Sequence, residues 1–65
     1  MKWIIHEEHN GMYYTINYET YSHGELLEYI KNKMEGESYE FKVDYEDFVN
    51  VRSKTRKIVA KQVRY

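Results

Sequence analysis

The sequence predicts a small α+β domain. It reads as a ββαβ unit, made of an antiparallel hairpin, a helix packed on one sheet face and a third strand, followed by a C-terminal amphipathic helix. Three observations carry this. Asn10-Gly11 stands between two runs rich in β-forming residues, Ser22-His23-Gly24-Glu25 opens a stretch of helical periodicity, and residues 38–45 alternate strictly. All 65 residues are expected in one domain, 1–65, because so short a chain buries only a modest core.

The hairpin spans residues 2–9 and 12–18. Asn-Gly is the strongest short hairpin signal, since both positions accept φ > 0. A two-residue turn fixes the register: His9 opposite Met12, Glu7 opposite Tyr14, Ile5 opposite Ile16 and Trp3 opposite Tyr18. Trp3, Ile5, Tyr14, Ile16 and Tyr18 then form an apolar sheet face. The other face is mostly polar, with Ile4 and Tyr13 as its exceptions.

The next element is a helix over 23–35. Ser22 and Glu25 form a capping box, and Tyr21 and Leu26 occupy the two staple positions. Leu26, Leu27, Ile30 and Met34 make one apolar stripe. Lys31 and Lys33 suit the C-terminal end of the macrodipole, and Gly36 is a stop. In 38–45, Tyr39, Phe41, Val43 and Tyr45 point one way and Ser38, Glu40, Lys42 and Asp44 the other, as in a half-buried strand. A right-handed crossover places this strand beside the first, which becomes central. The helix is expected to cover Trp3, Ile5, Ile16, Phe41 and Val43.

Residues 46–65 are read as a helix, with a second hairpin as the alternative. In the helix, acids fill the first turn and Val43 and Phe48 sit at staple positions. Asn50, Lys54, Lys57, Lys61 and Arg64 form a polar stripe, with Val51, Ile58, Val59, Gln62 and Val63 opposite. In the alternative, Val49–Val51 and Lys57–Tyr65 are strands around Ser53-Lys54-Thr55. The β-branched residues favour that arrangement, but no Gly, Pro or Asn-Gly marks its turn.

Charge is distributed unevenly. All eleven acids lie in residues 1–47, against four lysines there, so that segment carries −7. The last fourteen residues hold six bases and no acid. Such asymmetry points to a charged partner or to one end docking on the other. Cysteine is absent, which excludes disulfides and thiolate chemistry. With a small core and no disulfide, a homo-oligomer is expected. There is no run of eighteen apolar residues and no basic-then-apolar leader, so no membrane partner and a cytoplasmic location are expected.

No catalytic or metal-binding residues are assigned, and no cofactor. His6-Glu7-Glu8-His9 lacks the spacing that sets two imidazoles on one face, because odd spacing on a strand sends them to opposite sides. Val43–Val49 resembles the end of an EF-hand calcium loop and the start of its exiting helix. Upstream the likeness fails, since the first-ligand position falls on Gly36 and the glycine position on Phe41. Ser22 is accounted for by capping, and Ser53 has no histidine–acid pair in reach of the sequence pattern.

Without a catalytic constellation, the expected function is a non-enzymatic protein-binding regulator or inhibitor that occupies a partner's surface. In small size, eight tyrosines and absence of Cys and Pro, the chain resembles small inhibitors encoded by bacteriophages and other mobile elements. That likeness is of general character and carries no motif. Its partner would be a host or cellular protein, and one that binds nucleic acid suits an acidic phosphate mimic. The candidate partner-binding residues are Ile4, Tyr13, Glu40, Asp44, Glu46 and Asp47. The alternative is a small nucleic-acid-binding regulator that uses Lys54, Lys57, Lys61 and Arg64 from the basic segment. A self-assembling structural protein is a third option.

Overall fold

Asn10 and Gly11 adopt φ of 52° and 80°, the left-handed pair that a type I′ turn requires. They join β1 (Lys2–His9) to β2 (Met12–Glu19). The register runs from His9 opposite Met12, through Glu7–Tyr14 and Ile5–Ile16, to Trp3 opposite Tyr18, as the turn length dictates. A computed structural model describes residues 1–64 of the chain.

Helix α1 (His23–Lys33) follows. The Ser22 hydroxyl accepts from the Glu25 amide at 3.2 Å. The return bond is displaced by one residue: the Glu25 carboxylate accepts from the amide of Tyr21, not Ser22. The expected Tyr21–Leu26 staple does not form, because Leu26 is buried while Tyr21 is 98% exposed. Met34 caps the C-terminus, and Gly36 takes φ 85° just beyond it, where a side chain would be strained.

Three strands complete the chain: β3 (Tyr39–Asp44), β4 (Phe48–Ser53) and β5 (Arg56–Val63). With β1 and β2 they build one antiparallel sheet in the order β2-β1-β5-β4-β3. The expected C-terminal helix is therefore absent, and the last element is a strand. The expected ββαβ layout is also overturned. β5, not β3, lies beside β1, and β3 sits at the far edge. The middle position belongs to β5, so β1 is not central.

The reason lies in burial. Ile58 and Ala60 point to the helix side and pair with Val51 and Val49 of β4. They also pair with Glu7 and Ile5 of β1. An amphipathic helix here would leave the edge of β1 unpaired. Instead β5 satisfies both of its own edges and puts β-branched residues on a pleated surface, where they pack well. The basic segment thus docks on the acidic one as sheet.

The helix lies over the middle of the sheet. Its Leu26, Ile30 and Met34 close over Trp3 and Ile5 of β1, Ile58 and Ala60 of β5, and Val49 and Val51 of β4. Each large apolar side chain buried here contributes roughly 1.5–3 kcal/mol. Leu27, Tyr18, Tyr29 and Phe41 pack around the rim. Two residues expected under the helix are not there. Ile16 remains 38% exposed because β2 lies beyond the helix. Val43 turns to the opposite side, because a bulge between Phe41 and Val43 breaks the alternation of β3.

Candidate functional site

The helix covers one side of the sheet, and among the described residues no element covers the other. The registers align this open side into rows across the strands. One row runs Tyr13, Glu8, Lys57, Arg52, Glu40. The next runs Thr15, His6, Val59, Asn50, Val43, and the third Asn17, Ile4, Lys61, Phe48. Ile4, Val59, Val43 and Phe48 are half-buried and give this side two apolar patches, Ile4 with Val59 and Val43 with Phe48, with Lys61 and Asn50 between them. Oppositely charged residues face each other across strands beside these patches, Glu8 with Lys57 and Arg52 with Glu40, a favourable arrangement.

The candidate partner-binding residues divide between this face and the rest of the molecule. Ile4 and Tyr13 lie on the open side, on β1 and β2. The Glu8 carboxylate accepts a hydrogen bond from Tyr13, and with its charge holds the phenol above its ordinary range. Glu40 is on the same side and holds Lys42 Nζ at 3.1 Å. Asp44 is on the helix side, where it meets His23 Nε2 at 2.9 Å. Glu46 and Asp47 lie in the β3–β4 turn, and the Asp47 carbonyl accepts from the Gln62 amide at 2.9 Å. The structure therefore brings Ile4, Tyr13 and Glu40 to one face, puts Asp44 on the opposite side against His23, and leaves Glu46 and Asp47 in the turn.

The four basic candidates do not form one stripe. Lys57 and Lys61 share the open side, Lys54 lies in the β4–β5 turn, and Arg64 follows β5 with its guanidinium 3.5 Å from Gln62 Oε1. The helical spacing that grouped them does not apply to a strand.

Behind the face, on the helix side, is a polar network. Arg56 is paired with Glu7, and its Nε lies 3.4 Å from Glu37. Glu37 also accepts from the hydroxyls of Thr55 and Ser53. These two hydrogen bonds, with Thr55 the larger influence, and the nearby Arg56 charge hold its carboxyl below the usual range. His6 is on the open side beside Thr15 at 3.1 Å, and His9 approaches Arg56 at 3.5 Å on the other. Among the described residues no three His, Asp or Glu side chains are grouped to hold a metal ion. No helix among them is long and apolar enough to cross a membrane.

Sequence reasoning did not single out Phe48, Asn50, Val59 and Arg52 as members of one face. Their common signal is strict alternation along β4 and β5, which a helical reading of that segment hides. Comparison with protein-family models, with curated proteins and with solved structures finds no match.

Proposed function

We propose that this chain is a non-enzymatic protein-binding regulator or inhibitor that acts in the cytoplasm by laying the open face of its sheet on a partner protein. One observation carries the reading: Ile4, Val59, Val43 and Phe48 lie on a sheet side that no described element covers, with the charged pairs Glu8–Lys57 and Arg52–Glu40 in the row beside them. Protein interfaces combine apolar side chains with charged and polar ones in this way. Tyr13 extends the face at the β2 edge, adding a large side chain with a polar tip. A partner that binds nucleic acid fits the acids of the β3–β4 turn, Glu46 and Asp47, as phosphate mimics, while Asp44 is turned to the helix side. The small tyrosine-rich character agrees with a phage or mobile-element inhibitor of a host protein.

The alternative reading is direct nucleic-acid binding. It is favoured by Lys61, which lies between Ile4 and Phe48 with no acid opposite it. Against it, Lys57 and Arg52 face Glu8 and Glu40, which offset the charge that a phosphate backbone would meet.

The test is affinity capture from cells of the source organism, with wild type, Ile4→Lys and Val59→Glu as baits. The expected result is a protein retained by the wild type and lost by both variants, each still folded by circular dichroism. A partner retained equally by all three baits, or recovery of nucleic acid alone, overturns the reading.

A further inference from the structure

We propose that the β2 edge is the seat of a second copy of this chain, giving a two-fold dimer with a continuous ten-stranded sheet. The two edges of the sheet differ sharply. The β3 edge is guarded by a bulge and by Glu40, Lys42 and Asp44, devices that stop strand addition. β2 has none of these. It runs eight residues, Met12–Glu19, without bulge, Gly, Pro or Lys, and its one charge is at its end.

The side chains of β2 show the same lack of cover. The helix sits over β1, β5 and β4, so Met12, Tyr14 and Ile16 stay 58%, 47% and 38% exposed on the helix side. The type I′ turn makes His9–Met12 a hydrogen-bonded pair, and such pairs alternate along the ladder. The amides and carbonyls of Met12, Tyr14, Ile16 and Tyr18 therefore point into the sheet. Those of Tyr13, Thr15, Asn17 and Glu19 point out, toward an edge that no other described strand pairs with.

The occupant follows from self-complementarity. An antiparallel pairing that sets Ile16 opposite the partner's Ile16 gives every outward residue of β2 a partner: Tyr13 meets Glu19, and Thr15 meets Asn17. On the helix side, Ile16 meets its own copy and Tyr14 meets Tyr18. The two Glu19 carboxylates end at opposite ends of the interface, each beside a tyrosine, so no like charges meet. The two-fold axis is perpendicular to the sheet. Both helices therefore lie on one side, and the two open faces join into one surface. This assignment does not depend on what the open face binds.

Sedimentation equilibrium of the full chain across the micromolar range tests it. The expected species has twice the 8.0 kDa chain mass. Ile16→Lys places two ammonium groups together at the axis and should weaken the dimer roughly a hundredfold. Thr15→Pro removes an outward N–H, a place where an edge strand tolerates proline, and should give a folded monomer. Ile16→Cys should cross-link quantitatively on mild oxidation, because such pairs stand about 4.5 Å apart at Cα, within disulfide reach. Tyr45→Cys, exposed in the β3–β4 turn, should not. A wild type that is monomeric throughout overturns the proposal. A dimer that keeps its affinity in both Ile16→Lys and Thr15→Pro also overturns it and moves the interface to another face.

Discussion

The indole Nε1 of Trp3 donates a hydrogen bond of 3.0 Å to the hydroxyl of Thr20, and both side chains are buried. This bond joins the first strand to the residue where the chain leaves β2 for the helix. It lets a small core use a tryptophan without stranding its N–H group. Thr20 is also tied through its backbone, its amide donating to the Met1 carbonyl at 2.9 Å.

Thr20→Val should therefore cost about 1–3 kcal/mol, because it leaves a buried donor unpaired at nearly constant volume. In a domain of this size each kcal/mol lowers Tm by roughly 4–8 °C. Thr20→Ser, which restores the acceptor, should recover most of the loss. Trp3→Ala should cost about 3–5 kcal/mol, comparable with the whole stability of so short a chain, and should unfold it. The fluorescence of this single tryptophan reports the first two variants. A Thr20→Val protein that melts with the wild type would show that the bond contributes nothing.

The first half of the chain was legible because its signals are local. Asn10-Gly11 sets a register from two residues, and Ser22 and Glu25 mark a helix start from four. The second half was not, because its decisive turn is held from a distance. Ser53 Oγ accepts from the amides of Thr55 and Arg56 at 3.3 and 3.0 Å, a side-chain mimic of a turn. Glu37, far away in sequence, then binds the Ser53 and Thr55 hydroxyls. No Gly or Pro is needed once that carboxylate is in place. Likewise the spacing of Lys54, Lys57, Lys61 and Arg64 fits a helix, but a strand separates them by parity. On the candidate face, Ile4 and Tyr13 were legible from the hairpin register, whereas Phe48 and Val59 required β4 and β5 to be known.

That same carboxylate makes stability depend on pH. The carboxyl of Glu37 is held below its ordinary value of 4.5, first by Thr55, then by Ser53, with Arg56 adding to them. A carboxyl depressed in the folded state stabilises fully above its unfolded value. The contribution is lost as pH falls through the folded value. Glu37→Gln should therefore flatten the acid side of the stability profile below about pH 4.5. Urea midpoints measured from neutral pH downward check this. Parallel wild-type and variant profiles over that window would refute the assignment.

Arg56 is the other half of the network. It pairs with Glu7, whose side chain is only 10% exposed. Removing one partner of so enclosed a pair leaves a charge uncompensated. Arg56→Met should cost about 3 kcal/mol, whereas the double variant Glu7→Gln/Arg56→Met should recover part of it. Chemical denaturation of the four proteins in this cycle gives the coupling. Additive losses would mean that the two side chains do not depend on each other.

The open face separates the two functional readings through Lys57 and Lys61, which lie on the same side of β5. They stand four residues apart, so about 13 Å separates them along the strand. If the face reads phosphates, Lys57→Gln/Lys61→Gln should weaken nucleic-acid binding and lower its salt slope by about two. If the face meets a protein, the change removes one partner of the Glu8–Lys57 cross-strand pair and one ammonium beside Ile4 and Phe48. Stability should then fall by about 0–1 kcal/mol, less at high salt. We expect this second outcome, because Glu8 and Glu40 flank the bases of that row. Electrophoretic mobility shift with mixed DNA and RNA at about 150 mM salt should show no complex for the wild type. A micromolar complex abolished by the double substitution would replace the protein-binding reading with the nucleic-acid one.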